Sequence, residues 1–297
     1  MREDIDDRVV LRLGHSPDPD DVFMWWPLFE PAAVSSSRFR FEPVLIDIEA
    51  ANQRAELGED LLEITALSCG QYPRVADRYA ITACGSSMGE GYGPKLIARQ
   101  PTTPEALAAA GARVAIPGAR TTAHLVVSLL LGPGSFEPIE VPFKDVPECV
   151  LSGQADAGVV IHEGQLTYAQ EGLVLVRDLG EWWGLKTGLP LPLGVNAIRR
   201  DLEEIFGPGT LTEIAGLLEA SLAYAQAHPE EAFTHAQAHA GELEPAVTRE
   251  FVDLYVNHLT VDVGERGLAA VEELLSEALR AGLVPSTGPV QPIRSKG

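Results

Sequence analysis

The sequence predicts a two-lobed α/β protein. Each lobe is built on a doubly wound, mostly parallel sheet, and C-terminal helices complete the first lobe. Three observations carry this. Short apolar runs of strand length recur, each followed by a turn of small or polar residues and then a helical stretch, the alternation that winds parallel sheets. The alternation runs through two successive sets with no internal repeat of fixed period. Over residues 199–283 it gives way to alanine, leucine and glutamate at helical spacing, punctuated by Gly207-Pro208-Gly209 and His228-Pro229.

The first strand, 9–14, runs into Ser16-Pro17-Asp18-Pro19-Asp20-Asp21. A residue before proline is disfavoured in helix, so Ser16 and Asp18 are held extended. Pro19 fits the first helical position, which makes Asp18 the expected N-cap and puts Asp20 and Asp21 in the positively polarised first turn. On this reading the carboxylates fix the helix start and aim Ser16 and nearby N–H groups at a cleft. A strand over 39–47 and a helix over 48–57 follow. The strand 62–67 ends at Ser68, before a helix expected over 70–78. After a strand at 79–84, "GSSMGEGYGP" has neither P-loop spacing nor GxGxxG. It reads as a flexible interlobe segment whose backbone approaches ligand.

A strand over 95–99 leaves that segment. The second set is a helix over 103–110, a strand over 113–116, a turn over 117–122 and an apolar helix over 123–131. A strand over 139–143, a short helix over 146–152 and a buried strand over 157–161 lead to His162. After a strand over 173–178, "GEWWGLKTGLPLPLG" reads as irregular. Crossings near 95–99 and 193–198 divide the chain into a large lobe, 1–98 plus 196–297, and a small lobe, 99–195. The cleft between them is the natural ligand site.

A net charge of -21 argues against nucleic acid or an anionic membrane as partner, because both need a basic patch. No apolar run approaches the length of a membrane span. The first eight residues are charged and carry no secretory h-region. Cys69, Cys84 and Cys149 lack CxxC spacing and read as free thiols of a reducing compartment. A cytoplasmic protein is expected.

Ligands of open α/β sheets collect at the carboxyl ends of strands. Ser16, Ser68, Thr121, Thr122 and His162 all fall there. Any one Ser or Thr alone is better read as an N-cap, but together they mark helix N-termini suited to a carboxylate or phosphate. The turn Arg120-Thr121-Thr122 is the best single anion site. His162 is a candidate general base, against a structural histidine bonded to a loop. Glu163 beside it points to the opposite face if the strand continues. "HEGQLTY" resembles half a zincin signature without its second histidine, and His235 with His239 lacks a third ligand, so no metal is expected. Trp182 and Trp183 either stack on a ring or pack between lobes. No GxSxG elbow supports a Ser-His-Asp triad.

These motifs carry a resemblance that runs nearly end to end. "GHSPDPDDVFMWWPL", "DIEAAN", "ITALSCGQYPRVADRY", "VAIPGARTTAHLVVSLL", "AGVVIHEGQLTY", "DLGEWWGLKTGLPLPLG", "AYAQAHPEEA" and "YVNHLTVDVGERG" are similar to stretches of the menaquinone-biosynthesis family of the futalosine pathway. Ile-His-Glu and Glu-Trp-Trp…Thr-Gly-Leu-Pro-Leu-Pro-Leu-Gly resemble its 1,4-dihydroxy-6-naphthoate synthase branch more than the sister chorismate dehydratases. The resemblance implies a fold like type II periplasmic binding proteins and a cofactor-free reaction on cyclic dehypoxanthine futalosine, a small anionic substrate. It implies that His162 removes a proton to start an elimination that expels the sugar-derived fragment and leaves an aromatic naphthoate. Ser68, Thr121 and Thr122 match positions that hold polar groups or a carboxylate of the ligand, and Asn52 matches a cleft-facing asparagine. The opening departs from the family: Asp18, Asp20 and Val22 stand where cysteine, asparagine and threonine are usual. Two added carboxylates repel an anionic substrate unless they turn away. Chorismate dehydration and capture of a small carboxylate by a solute-binding protein are the alternatives, and monomer and homodimer are both compatible with the sequence.

Overall fold

In the computed structural model, which describes residues 7–162, 164–241 and 243–295, β1 (Val9–His15) lies between β2 (Phe39–Leu45) and β3 (Ile64–Ser68), parallel to both. β3 is buried at every position, as a central strand covered on both faces must be. β11 (Leu191–Arg199) pairs antiparallel with β3, and on its other edge with β4 (Tyr79–Ile81) and β5 (Ser87–Gly89). The second sheet has the order β10-β6-β9-β7-β8, from Val174–Asp178, Lys95–Ala98, Ala157–Val160, Arg113–Ile116 and Glu137–Glu140.

In each sheet one strand runs against the others, β11 in the first and β6 in the second. These are the strands by which the chain enters a lobe from the other one. The cleft lies at the carboxyl ends of the remaining strands, so a segment arriving across it enters at that edge and must run antiparallel. The two lobes therefore divide slightly earlier than expected from sequence. β6 belongs to the second sheet from Lys95, and β11 to the first from Leu191.

Three element assignments change. Instead of a helix over 70–78 the chain makes a short 3-10 turn, Cys69–Arg74, which carries Pro73 inside it. The stretch read as irregular contains the helix Leu179–Thr187. Asp178 caps its first two free N–H groups, those of Gly180 and Glu181, and Gly188 ends it in the left-handed conformation. Trp183 is fully buried there with its indole N–H on the Pro190 carbonyl (3.1 Å), so the tryptophan pair packs the lobe and does not line the cleft. The glycine-rich segment is ordered into β5.

The C-terminal helices cover the opening helix Pro19–Trp25. Ile214, Leu218 and Leu222 of the helix Thr210–Ala227 share one core with Leu11, Leu13 and Trp25. The Ser221 hydroxyl reaches the Met24 carbonyl at 2.7 Å. His235 stacks on Trp26, with ring centroids 4.3 Å apart. All three cysteines are buried, and burial pushes the Cys69 and Cys84 thiols up to about 12.

The two crossovers bear on each other. Lys95 pairs with Asp178 at 2.6 Å, and the Leu179 N–H donates to the Pro94 carbonyl at 2.9 Å. A Cβ on Gly180 would stand 1.9 Å from the Tyr92 carbonyl oxygen. Gly180→Ala is therefore expected to destabilise the protein by about 1–3 kcal/mol, the range for overpacking a filled site. Urea denaturation checks this: an unchanged midpoint contradicts the close approach.

Candidate functional site

Between the carboxyl ends of the two sheets lies a partly open cavity, the usual place for a ligand of such sheets. Its walls mix apolar side chains, among them Ile48, Leu67, Leu193 and Phe251, with a few convergent polar ones. His162 stands at its edge just beyond β9, with a φ of 52° that side chains other than glycine seldom adopt. Such a conformation persists only where surroundings fix it.

Those surroundings are visible. The Gln165 N–H donates to the His162 carbonyl (3.2 Å), and with the Gln165 amide turned so that both of its ends are satisfied, its side-chain oxygen accepts the His162 N–H (3.2 Å). The amide nitrogen of Gln165 faces the Gly93 carbonyl (2.6 Å) and the Tyr255 hydroxyl (2.7 Å). The His162 ring lies edge-on to Phe143, centroids 4.6 Å apart. Its Nδ1 is 2.8 Å from Asp18 Oδ2. With the Nδ1 proton toward Asp18, Nε2 is the nitrogen that carries the lone pair.

Asp18 is therefore more than the start of a helix. It occupies the N-cap position before Pro19 as expected, but its side chain makes no cap bond. The same Oδ2 accepts from the Ser16 hydroxyl (2.6 Å), and Ser16 Oγ accepts the Asp18 N–H (3.1 Å). Burial pushes this carboxyl up, but the charge of His162, hydrogen bonds from His162 and Ser16, and Lys144 outweigh it, leaving the group below the ordinary carboxylate value. Asp21 accepts the Ser16 N–H (2.9 Å), so that N–H is not offered to a ligand.

The anion-binding turn differs from expectation. Glu49 already occupies it: its carboxylate accepts the Arg120 N–H (2.9 Å) and a guanidinium N–H (3.1 Å), and Arg120 also pairs with Glu56. Gly118, at φ 147°, leaves no side chain where Glu49 sits. The Thr121 hydroxyl donates to the Gly118 carbonyl (2.8 Å), and that of Thr122 to the Leu193 carbonyl (2.6 Å) while accepting the Gly70 N–H (3.1 Å). Both threonines line the cavity with their hydroxyls committed. What the turn still offers is the pair of leading N–H groups of the helix Thr122–Leu131, which have no intrahelical acceptor.

Ser16 and Ser68 also line the cavity. Asn52, fully buried, is absent from its wall and stands behind Ser68, exchanging bonds with the Ser68 N–H (2.9 Å) and hydroxyl (2.9 Å). Its amide nitrogen also reaches the Arg120 carbonyl (3.4 Å). Because Ser68 Oγ accepts from Asn52, its own proton is left for the cavity. Glu163 lies outside the described residues. Sequence reasoning missed Gln165, Tyr255 and Asn196. The Asn196 amide donates to the Gly85 carbonyl (2.7 Å), and its side-chain oxygen, at the cavity wall, has no protein partner.

A family model described as menaquinone biosynthesis matches residues 11–280. The chain belongs to the menaquinone-biosynthesis family. A 1,4-dihydroxy-6-naphtoate synthase of Thermus thermophilus is 43% identical over 95% of this chain and 98% of its own. One from Streptomyces coelicolor is 37% identical over 94% and 96%. Together they give the chain an enzyme's role in menaquinone biosynthesis. A solved structure from Archaeoglobus fulgidus superposes with a TM-score of 0.82 at 37% identity, covering 93% of this chain and 98% of that one. An alkanesulfonate-binding protein of Xanthomonas axonopodis superposes at 0.68 with 13% identity over 95% and 96%, which shows the periplasmic-binding-protein fold alone.

Within this family fold the acidic opening carries a measurable cost. Asp20 lines the cavity, and burial, then the charges of Asp21 and Asp18, push its carboxyl well above the usual range. The folded protein thus holds this proton more tightly than the unfolded chain. Below about pH 3.9 both states are protonated; as pH rises the unfolded chain ionises first, and stability falls until the folded carboxyl follows. Asp20→Asn is expected to raise Tm at pH 8, with the gain vanishing in acid. Equal melting of the two proteins at pH 8 contradicts this.

Proposed function

We propose that this protein converts cyclic dehypoxanthine futalosine to 1,4-dihydroxy-6-naphthoate, acting as a carbon–carbon lyase without a cofactor, with His162 as the base. The observation that supports it most is the imidazole at the cavity edge whose Nδ1 is engaged by Asp18, leaving Nε2 as the proton acceptor. Nε2 removes a proton from the substrate; the C–H electron pair becomes a new π bond of the ring, the pair of the broken carbon–carbon bond leaves with the sugar-derived fragment, and the imidazolium returns its proton to that fragment. The gain in aromaticity carries the reaction forward.

The apolar walls suit a fused ring, and the Ser68 hydroxyl with the leading N–H groups of the helix Thr122–Leu131 suits its carboxylate. Repulsion from the aspartates is reduced in two ways. Asp18 faces His162, and burial with the charges of Asp21 and Asp18 makes Asp20 hold its proton more tightly than an exposed carboxyl.

Incubation with cyclic dehypoxanthine futalosine and, separately, with chorismate is expected to yield naphthoate from the first, by mass, and no product from the second. Binding of the first without turnover contradicts the lyase reading. His162→Ala is expected to lower kcat by about 10²- to 10⁴-fold with binding retained, because a base acts on the chemical step. An unchanged rate removes His162 from the mechanism.

A further inference from the structure

We infer that Asp18 is the positioning residue of His162, so that a base carried by the small lobe is completed by a carboxylate of the large lobe. The inference rests on the reading of His162 as the base.

The contact is 2.8 Å long and spans the cleft: Asp18 precedes the opening helix on the first sheet, and His162 follows β9 on the second. The carboxylate is set by its own loop. Ser16 Oγ donates to Oδ2 (2.6 Å) and accepts the Asp18 N–H (3.1 Å), while Pro17 and Pro19 restrict the backbone around it. Asp18 is 8% exposed, so the bond forms largely away from water, where it is stronger. The imidazole also depends on the large lobe through its backbone. Gln165, which brackets His162, is itself held by Tyr255 from the C-terminal helix Pro245–Tyr255.

A carboxylate on Nδ1 does two things for a base. It selects the tautomer with its lone pair on Nε2, and it stabilises the imidazolium formed when Nε2 takes a proton. Among the described residues the other titratable groups around the pair are Asp20 and Asp21 on the same helical turn, His15 at the end of β1, Lys144 of the small lobe and Tyr255. A contact that merely holds the lobes together would alter substrate affinity and stability. A positioning contact alters the tautomer and the chemical step.

The test pairs kinetics with nitrogen-15 NMR of the ring, assigned by comparison with His162→Ala. In the wild-type protein without substrate the neutral His162 ring is expected to carry its proton on Nδ1; a proton on Nε2 would overturn the inference without any variant. In Asp18→Asn the ring is expected to lose that tautomer preference and titrate at lower pH. Its kcat should fall on the order of 10²- to 10⁴-fold with KM changed only a few-fold. Asp18→Glu, which keeps the charge, should recover part of the rate. An Asp18→Asn protein with wild-type ring titration and wild-type kcat refutes the inference and leaves the lyase reading standing. If the wild-type protein turns over no substrate, the lyase reading fails, and the ring titrations still decide the pairing.

Discussion

A hydrogen bond across the cleft, from His162 on one lobe to Asp18 on the other, is the contact on which the site depends. Each feature around it serves to bring these two side chains together. The reversed strands β6 and β11 carry the chain from lobe to lobe and leave the carboxyl ends of both sheets facing one space. The proline-flanked loop presents Asp18 at the rim of one sheet, and the left-handed backbone at residue 162 turns the imidazole from the rim of the other. Gln165 stabilises that turn from both sides.

The second constraint is electrostatic. A chain of net charge -21 that is proposed to act on an anionic substrate must confine its acidic groups locally. Glu49 and Glu56 are spent on Arg120, tying the turn before the helix Thr122–Leu131 to the opposite lobe. Asp21 is spent on the Ser16 N–H. The leading N–H groups of the helix Thr122–Leu131 and Ser68 line the cavity along with Asp20. Thr122 also connects the lobes, joining Gly70 and Leu193 through a single hydroxyl.

The two-lobed α/β architecture, most of its strands and the C-terminal helices were legible in the sequence, because apolar runs, polar turns and the switch to helical spacing are local signals; the order of strands within each sheet was not. So were the cleft and His162 at a strand end. The helix Leu179–Thr187 was obscured by its glycines and its neighbouring prolines, although Asp178 and Gly188 supply a cap at each end. The partnership of Asp18 with His162 was not legible, since 144 positions separate them in the chain and the proline spacing gives Asp18 a sufficient local role as N-cap. Its signal was the departure from the family's usual cysteine. Tyr255 and Asn196 join the site only through tertiary packing, whereas Gln165 stands three positions after His162 and bonds its carbonyl through a local turn. Asn52 illustrates the converse. The resemblance matched it to a cleft-facing asparagine, but it stands one layer back, bonded to Ser68 and absent from the cavity wall.

The most direct measurement of the central claim is a crystal structure of His162→Ala soaked with cyclic dehypoxanthine futalosine. The account predicts the fused ring in the cavity beside Phe251 and Leu193, with the carbon that loses its proton turned toward the space vacated by the imidazole. Substrate seated instead in the neighbouring recess by Lys144 and His239, with residue 162 out of reach of its reacting carbon, would contradict it.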